Sequence, residues 1–309
     1  ALTLALRAAG IRPVDISRAP VLIPAFTCPA TAAAVLAAGA LPVLADVDPE
    51  TGLLDPAHAA EVMDTFCEIE DRDVAAIIPV HLFGRLAPVD PLVVLARRVG
   101  ADVVEDAAQA HGLSGVGTTS HAVATSFYPT KNLGARGDAG AVTTNDGDIA
   151  GSVSRLRQYG MGPAWALGDD GWGWCERMDE IHAASLRISL RRLEIATQAR
   201  AQIAAEYRLR LPRALDAGWD HTPSVHHLFP VRVRGGRRDA FRAALRAAGV
   251  ETGCHYPRAL TAYPDVYAPL PCPHAEAWAA EVVTLPCYPG LRSGQVEAVI
   301  AAATAAVSA

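Results

Sequence analysis

Lysine is almost missing from this chain. Its 309 residues include 27 basic side chains, and all of them except Lys131 are arginine. An excess of positive charge is missing as well. The formal net charge is −6, which leaves no cationic face for a nucleic-acid backbone and argues against such a partner. No apolar run approaches the roughly 20 residues of a membrane span. The apolar opening, Ala1-Leu2-Thr3-Leu4-Ala5-Leu6-Arg7, has neither a basic leader nor a small-residue cleavage site, so it reads as a core helix entered midway and not as a signal peptide. The six cysteines are scattered without any C-x-x-C pair. That excludes a disulfide scaffold and points to reduced thiols in a cytoplasmic protein. His226-His227 and the other histidines lack zinc-ligand spacing, so no metal is expected.

What is present is the material of a packed core: 51% hydrophobic and 19% charged residues. The length suits one large or two moderate domains. Strand-like runs at Val21–Ile23, Pro42–Ala45, Val74–Val80 and Ala101–Val104 alternate with helical stretches at Pro29–Ala38, Pro56–Met63 and Val89–Val99. This alternation predicts a parallel sheet covered by helices on both faces, an α/β fold. In such sheets chemistry gathers at the carboxyl ends of the strands, where Asp46, His81 and Asp106 fall. A long helix is expected from Ile181 to about Leu211, with Leu186, Ile188, Leu190 and Leu193 as its apolar stripe. A strand at His227–Val233, a helix at Arg238–Ala248, a short strand at Val283–Leu285 and a last helix at Ser293–Ala306 make a smaller α+β unit. The expected division is 1–200 and 201–309.

In a chain where arginine stands wherever a cation will serve, a lone lysine is a candidate for work arginine cannot do. Lysine can lose its proton and act as an amine nucleophile; the alternative is a surface lysine surviving by chance. Lys131 lies in Ser126-Phe127-Tyr128-Pro129-Thr130-Lys131-Asn132-Leu133-Gly134, and the run Glu105-Asp106-Ala107-Ala108-Gln109-Ala110-His111-Gly112 precedes it. Pyridoxal phosphate (PLP) chemistry needs an amine for the cofactor aldehyde and a carboxylate for the protonated pyridine nitrogen. An Asp leaving a central strand and a Lys in a loop from a neighbouring strand can face one ring from two sides. By itself this spacing is a weak signal, because most exposed Asp residues only cap helices.

The surrounding motifs are more specific. Ile23-Pro24-Ala25-Phe26-Thr27, Asp46-Val47-Asp48-Pro49, Pro79-Val80-His81-Leu82-Phe83-Gly84, the Asp106 and Lys131 segments, Arg177-Met178-Asp179-Glu180 and Cys254-His255-Tyr256-Pro257 occur in register over nearly the whole chain. In these the sequence resembles the DegT/DnrJ/EryC1/StrS family of aminotransferases, which act on sugars and cyclitols. The resemblance implies an aspartate-aminotransferase-like fold (fold type I of the PLP enzymes) and a homodimer with active sites at the subunit interface. It implies that Lys131 forms the Schiff base, Asp106 partners the pyridine nitrogen, Gln109 lies near the ring's phenolic oxygen and Ser126 binds the phosphate. Thr27 and Cys28 fall where the family places residues against the ring. Arg177 would approach the partner's cofactor and substrate. His81, His111, His255 and Tyr256 either line the substrate pocket or are satisfied structural residues. The implied reaction moves an amino group from glutamate or glutamine, through the pyridoxamine form of the cofactor, to a nucleotide-linked keto sugar or a keto cyclitol. A sugar-dehydratase branch replaces the lysine by histidine, and Lys131 argues against it. A rival reading is a non-catalytic relative serving as scaffold, partner subunit or regulator.

Three departures from the family pattern favour that rival. Cys28 stands where an aromatic usually stacks on the ring, and Cys175 stands where an Asn usually reaches the neighbouring subunit's phosphate. The family's Gly-Ser/Thr phosphate turn normally comes just before the helix that begins here at Ala1-Leu2, so it is lost only if no residues precede position 1 in the natural protein. Base–aromatic stacking in other systems contributes on the order of 1–3 kcal/mol per ring, so these losses together predict weak, reversible cofactor binding. The holo-protein should lose PLP on dialysis, and Cys28→Phe should slow that loss. Full retention through extended dialysis, with no effect of Cys28→Phe, would show that the departures are compensated.

Overall fold

Runs of Val, Leu, Ile and Pro build the centre of the molecule. The computed structural model describes residues 1–11, 19–215 and 222–308. Strand β1 (Pro20–Pro24) is buried at all its positions, and β2 (Leu41–Ala45) at all but the first. A strand with no wet face belongs inside a parallel sheet covered on both sides. These two join β3 (Ala76–Ile77), β4 (Asp102–Asp106), β5 (Ala122–Ser126) and β6 (Gly140–Thr143) in one sheet of order β2-β1-β3-β4-β5-β6. Every pairing is parallel except β5–β6. The outer edge of β2 is covered by Tyr267, whose N–H donates to Pro42 O and whose carbonyl accepts from Leu44 N–H, both at 2.8 Å. That pairing removes an exposed edge.

The helices follow their apolar periods. Helix α2 (Pro29–Ala37) connects β1 to β2. Helix α3 starts at Pro56 behind its N-cap Asp55, whose carboxylate accepts from Ala57 N–H at 2.9 Å. It continues to Glu70, past the expected end at Met63, because Phe66 extends the buried face. Helix α4 (Val89–Val99) buries Val89, Leu92, Val93 and Ala96, a helical repeat against the sheet. Helices α1 (Leu2–Ala8) and α5 (Gly147–Leu156) pack together at the other end of the sheet.

The structure revises several expected bounds. The run Val74–Val80 is a ladder only at Ala76–Ile77, since Pro79 lacks the N–H a ladder requires; Val80 forms an isolated bridge to Asp106. Strand β4 runs on to Asp106, two residues past the expected end at Val104. The single helix expected from Ile181 is two, α6 (Glu180–Leu190) and α7 (Leu193–Arg210), broken at Arg191–Arg192 without a Gly or Pro. The halves answer to different apolar clusters: Leu186 packs with Leu133 and Ala135, whereas Ile203, Ala204 and Tyr207 enter the main core. Of the expected stripe, Ile188 and Leu190 are exposed. Among the described residues no helix is long and apolar enough to cross a membrane.

A second sheet pairs β7 (Phe229–Arg232) antiparallel with β8 (Val282–Leu285), flanked by α8 (Arg238–Ala247), α9 (Pro273–Glu281) and α10 (Ser293–Ser308). Trp278 of α9 stacks on Phe26, with ring centroids 5.7 Å apart, and Arg232 lies 4.8 Å over its ring. Asp46, 2% exposed just beyond β2, caps α9 from a distance. One carboxylate oxygen accepts from Ala275 N–H at 2.7 Å and the other from His274 N–H at 2.9 Å. These are two of the unpaired donors of the α9 N-terminus. Asp46→Ala should therefore lower stability by about 2–4 kcal/mol, read as a reduced urea midpoint. An unchanged midpoint would show that the cap contributes nothing.

Candidate active site

The chain leaves β1 toward β2 on one side and later returns to place β3 on the other. That crossing opens a crevice at the carboxyl ends of β1 and β3, the usual place for a ligand in such sheets. Thr27 and Cys28 follow β1, His81 follows β3, and Asp106 and Ser126 end β4 and β5.

Asp106 is 8% exposed. Its Oδ2 accepts a hydrogen bond from Thr31 Oγ1 at 2.9 Å, and its Oδ1 accepts from Ala108 N–H at 3.1 Å. Thr31 sits in the first turn of α2, and its hydroxyl is 3.3 Å from that of Thr27. The carboxylate is thus oriented by a hydroxyl relay from the end of β1. Asp106, Ser126, Gly140, Arg157 and Arg177 share the wall of a cavity of about 550 Å³.

Register brings Lys131 to this carboxylate. Asp106 pairs with Ala124 across β4–β5, and Ser126 with Gly140 across β5–β6. The intervening loop is closed by Phe127 N–H to Ala139 O (2.8 Å), Ala135 N–H to Phe127 O (2.7 Å) and Lys131 N–H to Tyr128 O (2.9 Å). Gly134 permits the closure, since a Cβ there would meet Pro129 O at 2.5 Å. The Lys131 amine is half-buried and has no hydrogen-bond or ion-pair partner among the described residues. Burial pulls its pKa below the usual lysine value, while the charges of Asp106 and Cys28 pull the other way.

Lys131 also lines a cavity of about 690 Å³ with Arg200, His227, His255, Tyr256 and Thr284. His227 Nδ1 donates to Asn132 Oδ1 at 3.1 Å, and His255 Nδ1 is 2.8 Å from Thr284 Oγ1. His111 is buried against Phe127, and neither ring nitrogen has a partner among the described residues. Burial, followed by the charge of Lys131, lowers the pKa of His111 to about 4 and pushes those of His227 and His255 below the ordinary value. The three imidazoles are therefore neutral near pH 7.

The remaining candidates divide. Gln109 is clamped: its Oε1 accepts from Phe83 N–H at 2.6 Å and its Nε2 donates to Tyr256 Oη at 3.1 Å. Burial raises the Tyr256 pKa, and the nearby Cys28 thiol adds to the effect. His81 lies behind the crevice, 0% exposed. Its Nε2 donates to Glu105 at 2.7 Å and its Nδ1 accepts from Ala87 N–H at 3.0 Å, leaving no nitrogen for a substrate. Arg177 is exposed, with Nη2 3.2 Å from Cys175 Sγ. Hydrogen bonds from Tyr159 and Arg177 lower the Cys175 pKa.

Two residues escaped the sequence reading. Thr31 was legible only as a hydroxyl four residues after Thr27, one helical turn away. Arg200 carried no signal, being one arginine among many.

The sequence model of the DegT/DnrJ/EryC1/StrS aminotransferase family matches residues 1–304. The dTDP-3-amino-3,4,6-trideoxy-alpha-D-glucose transaminase of Streptomyces venezuelae is 39% identical over 312 residues, spanning 97% of this chain and 78% of that protein. A pleiotropic regulatory protein of Geobacillus stearothermophilus is 36% identical over 313 residues, 97% of this chain and 80% of its own length. The crystal structure of NtdA from Bacillus subtilis, with the cofactor PMP bound, superposes with a TM-score of 0.89 at 28% identity, covering 100% of this chain and 71% of that one.

The lone lysine makes its environment directly measurable. Reductive methylation of cofactor-free protein with 13C-formaldehyde gives one dimethyl-lysine resonance. Because burial disfavours the cation, that resonance should titrate below the ~10.4 of an ordinary lysine. A midpoint at or above that value would mean that Lys131 is solvated.

Proposed function

The chain belongs to the DegT/DnrJ/EryC1/StrS aminotransferase family and is a PLP-dependent transaminase; from that premise we propose that Lys131 carries the cofactor and Asp106 holds its pyridine nitrogen protonated. The amino group passes from glutamate or glutamine to a keto group on a nucleotide-linked sugar or a cyclitol. The observation that carries the reading is the unpaired, half-buried Lys131 amine beside an oriented carboxylate.

The residues present fit the cofactor. A lowered lysine pKa keeps part of the amine unprotonated, which condensation with an aldehyde requires. The buried His111 imidazole has two unpartnered nitrogens in the same neighbourhood, a deficit that a polar ligand can relieve. When bound, PLP supplies an aldehyde that takes up the amino group and a cationic ring that receives electrons from the substrate carbon. Asp106 favours that cationic ring by charge. Gln109, clamped between Phe83 and Tyr256, would hold the ring from one side, and Ser126 would offer a hydroxyl to the phosphate. Thr27 and Cys28 would border the ring, Thr27 through its hydroxyl contact with Thr31. The Lys131 amine would also serve as the base that moves a proton at the reacting carbon. His255, Tyr256 and Arg177 face the substrates, while His81 holds the wall through Glu105.

The nucleotide-sugar acceptor is supported by the activity named for the Streptomyces venezuelae relative. A homodimer is part of the reading. Trp165, Trp172, Ile181, Ile188, Leu190 and Ile195 are exposed on neighbouring segments of the chain, more apolar surface than a lone subunit usually leaves in water. A division into units 1–200 and 201–309, and a cytoplasmic setting suited to free thiols, belong to the same reading.

Borohydride reduction of the PLP-loaded protein, followed by peptide mapping, should place the pyridoxyl group on Lys131. Label confined to the amino terminus, or absent, would defeat the assignment. Asp106→Asn should keep PLP binding and lose transamination by at least about a hundredfold, since an amide cannot pair with the ring charge.

A further inference from the structure

Arg200 of α7 is 8% exposed, yet no Asp or Glu pairs with it among the described residues. Its Nη1 donates to three carbonyl oxygens, those of His226 (3.4 Å), His227 (3.3 Å) and Cys287. These fix the plane of the guanidinium but bring no net charge. Nε is buried without an acceptor, and Nη2 makes no hydrogen bond among the described residues. Nε is sealed from solvent, so Nη2 is the nitrogen left to meet a carboxylate oxygen from the cavity in a charge-assisted hydrogen bond.

The same side chain lines the cavity of about 690 Å³ that holds Lys131. Among the described residues on that wall the only acid is Glu251, which is exposed and pairs with Arg246 at 3.2 Å. Arginine keeps its charge at any physiological pH, and an isolated buried ion is strongly unfavourable. The cavity therefore presents a fixed, unmatched positive charge beside the reacting amine.

We propose that Arg200 binds the carboxylate of the amino-acid donor. This rests on the reading that Lys131 carries the cofactor. Every amino-acid donor has a carboxylate one bond from the carbon that gives up its nitrogen, so the anion must sit in the cavity that Lys131 lines. Once Lys131 is engaged, Arg200 is the remaining cation on the wall, because His227 and His255 are held neutral. One charge matches one carboxylate. The diphosphate of a sugar nucleotide carries more charge, and it lies several bonds from the keto carbon.

The test uses PLP-loaded protein and two unreactive probes: glutarate for the donor and UDP for the acceptor. Glutarate soaked into crystals of the parent protein should place a carboxylate oxygen about 3 Å from Arg200 Nη2. Arg200→Gln should weaken glutarate about tenfold to a hundredfold and leave UDP unchanged, with Arg200→Lys falling between. Loss of UDP affinity with glutarate unchanged would overturn the proposal and assign the guanidinium to the nucleotide. Glutarate that fails to bind the parent, lies away from Arg200, or binds folded Arg200→Gln as well as the parent would overturn it too. If Arg200→Gln does not fold, the parent crystal decides. Retention of the pyridoxyl label on Lys131 separates a failure here from a failure of the cofactor assignment.

Discussion

The parallel pairing of β4 with β5, with Asp106 opposite Ala124, is the constraint on which the rest of the site depends. It places Ser126 beside Asp106 at the carboxyl edge. The antiparallel return of β6 then obliges the intervening loop to turn back near that edge, and Lys131 rides on the loop. A slip of one residue in either register would reverse the facing of every side chain along the strand. It would separate the amine from the carboxylate. The close approach at Gly134 shows how little slack the loop has.

The chain treats buried ions unequally. Glu105 is matched by His81, Gly117 N–H and the Ser120 hydroxyl. Asp46 is matched by backbone N–H groups of α9, and Arg232 by Glu281 and the face of Trp278. In each of these an ion taken from water finds hydrogen bonds or an opposite charge, as burial demands. They join segments far apart in the chain and so help to hold the walls of the crevice. Among the described residues Arg200 receives only carbonyl dipoles, and the Lys131 amine receives no hydrogen bond, only the more distant charges of Asp106 and Cys28. Both unmatched cations face one cavity.

Neutrality of the surrounding imidazoles complements this pattern. Burial and the Lys131 charge act in the same direction on His111, His227 and His255. A protonated histidine in the cavity would compete for anions and repel the lysine cation further. Neutral rings leave the positive potential of the cavity to Lys131 and Arg200. They can still offer a lone pair or an N–H to a bound group. The hydroxyl relay from Thr27 through Thr31 to Asp106 does comparable work for the carboxylate, fixing its direction without adding charge.

Much of this was legible before any coordinates. The identity of Lys131 as the lone lysine, the strand-end positions of Asp46, His81 and Asp106, and the helices α2, α4 and α8 all follow from residue type and local period. Those quantities are properties of short windows, so a linear reading recovers them. The ordered motifs around Asp106 and Lys131 identified the family for the same reason. The break between α6 and α7 was not legible, because no Gly or Pro marks it and two separate apolar clusters decide it. Nor was the paired, inward state of His81, since Glu105 reaches it across two strands. Thr31 meets Asp106 across 75 positions, and Arg200 meets Cys287 across 87. The sequence by itself determined which residues could do the chemistry. Only the tertiary structure decided which ions were matched and which were left facing a cavity, because matching depends on contacts between segments whose separation along the chain carries no local signal.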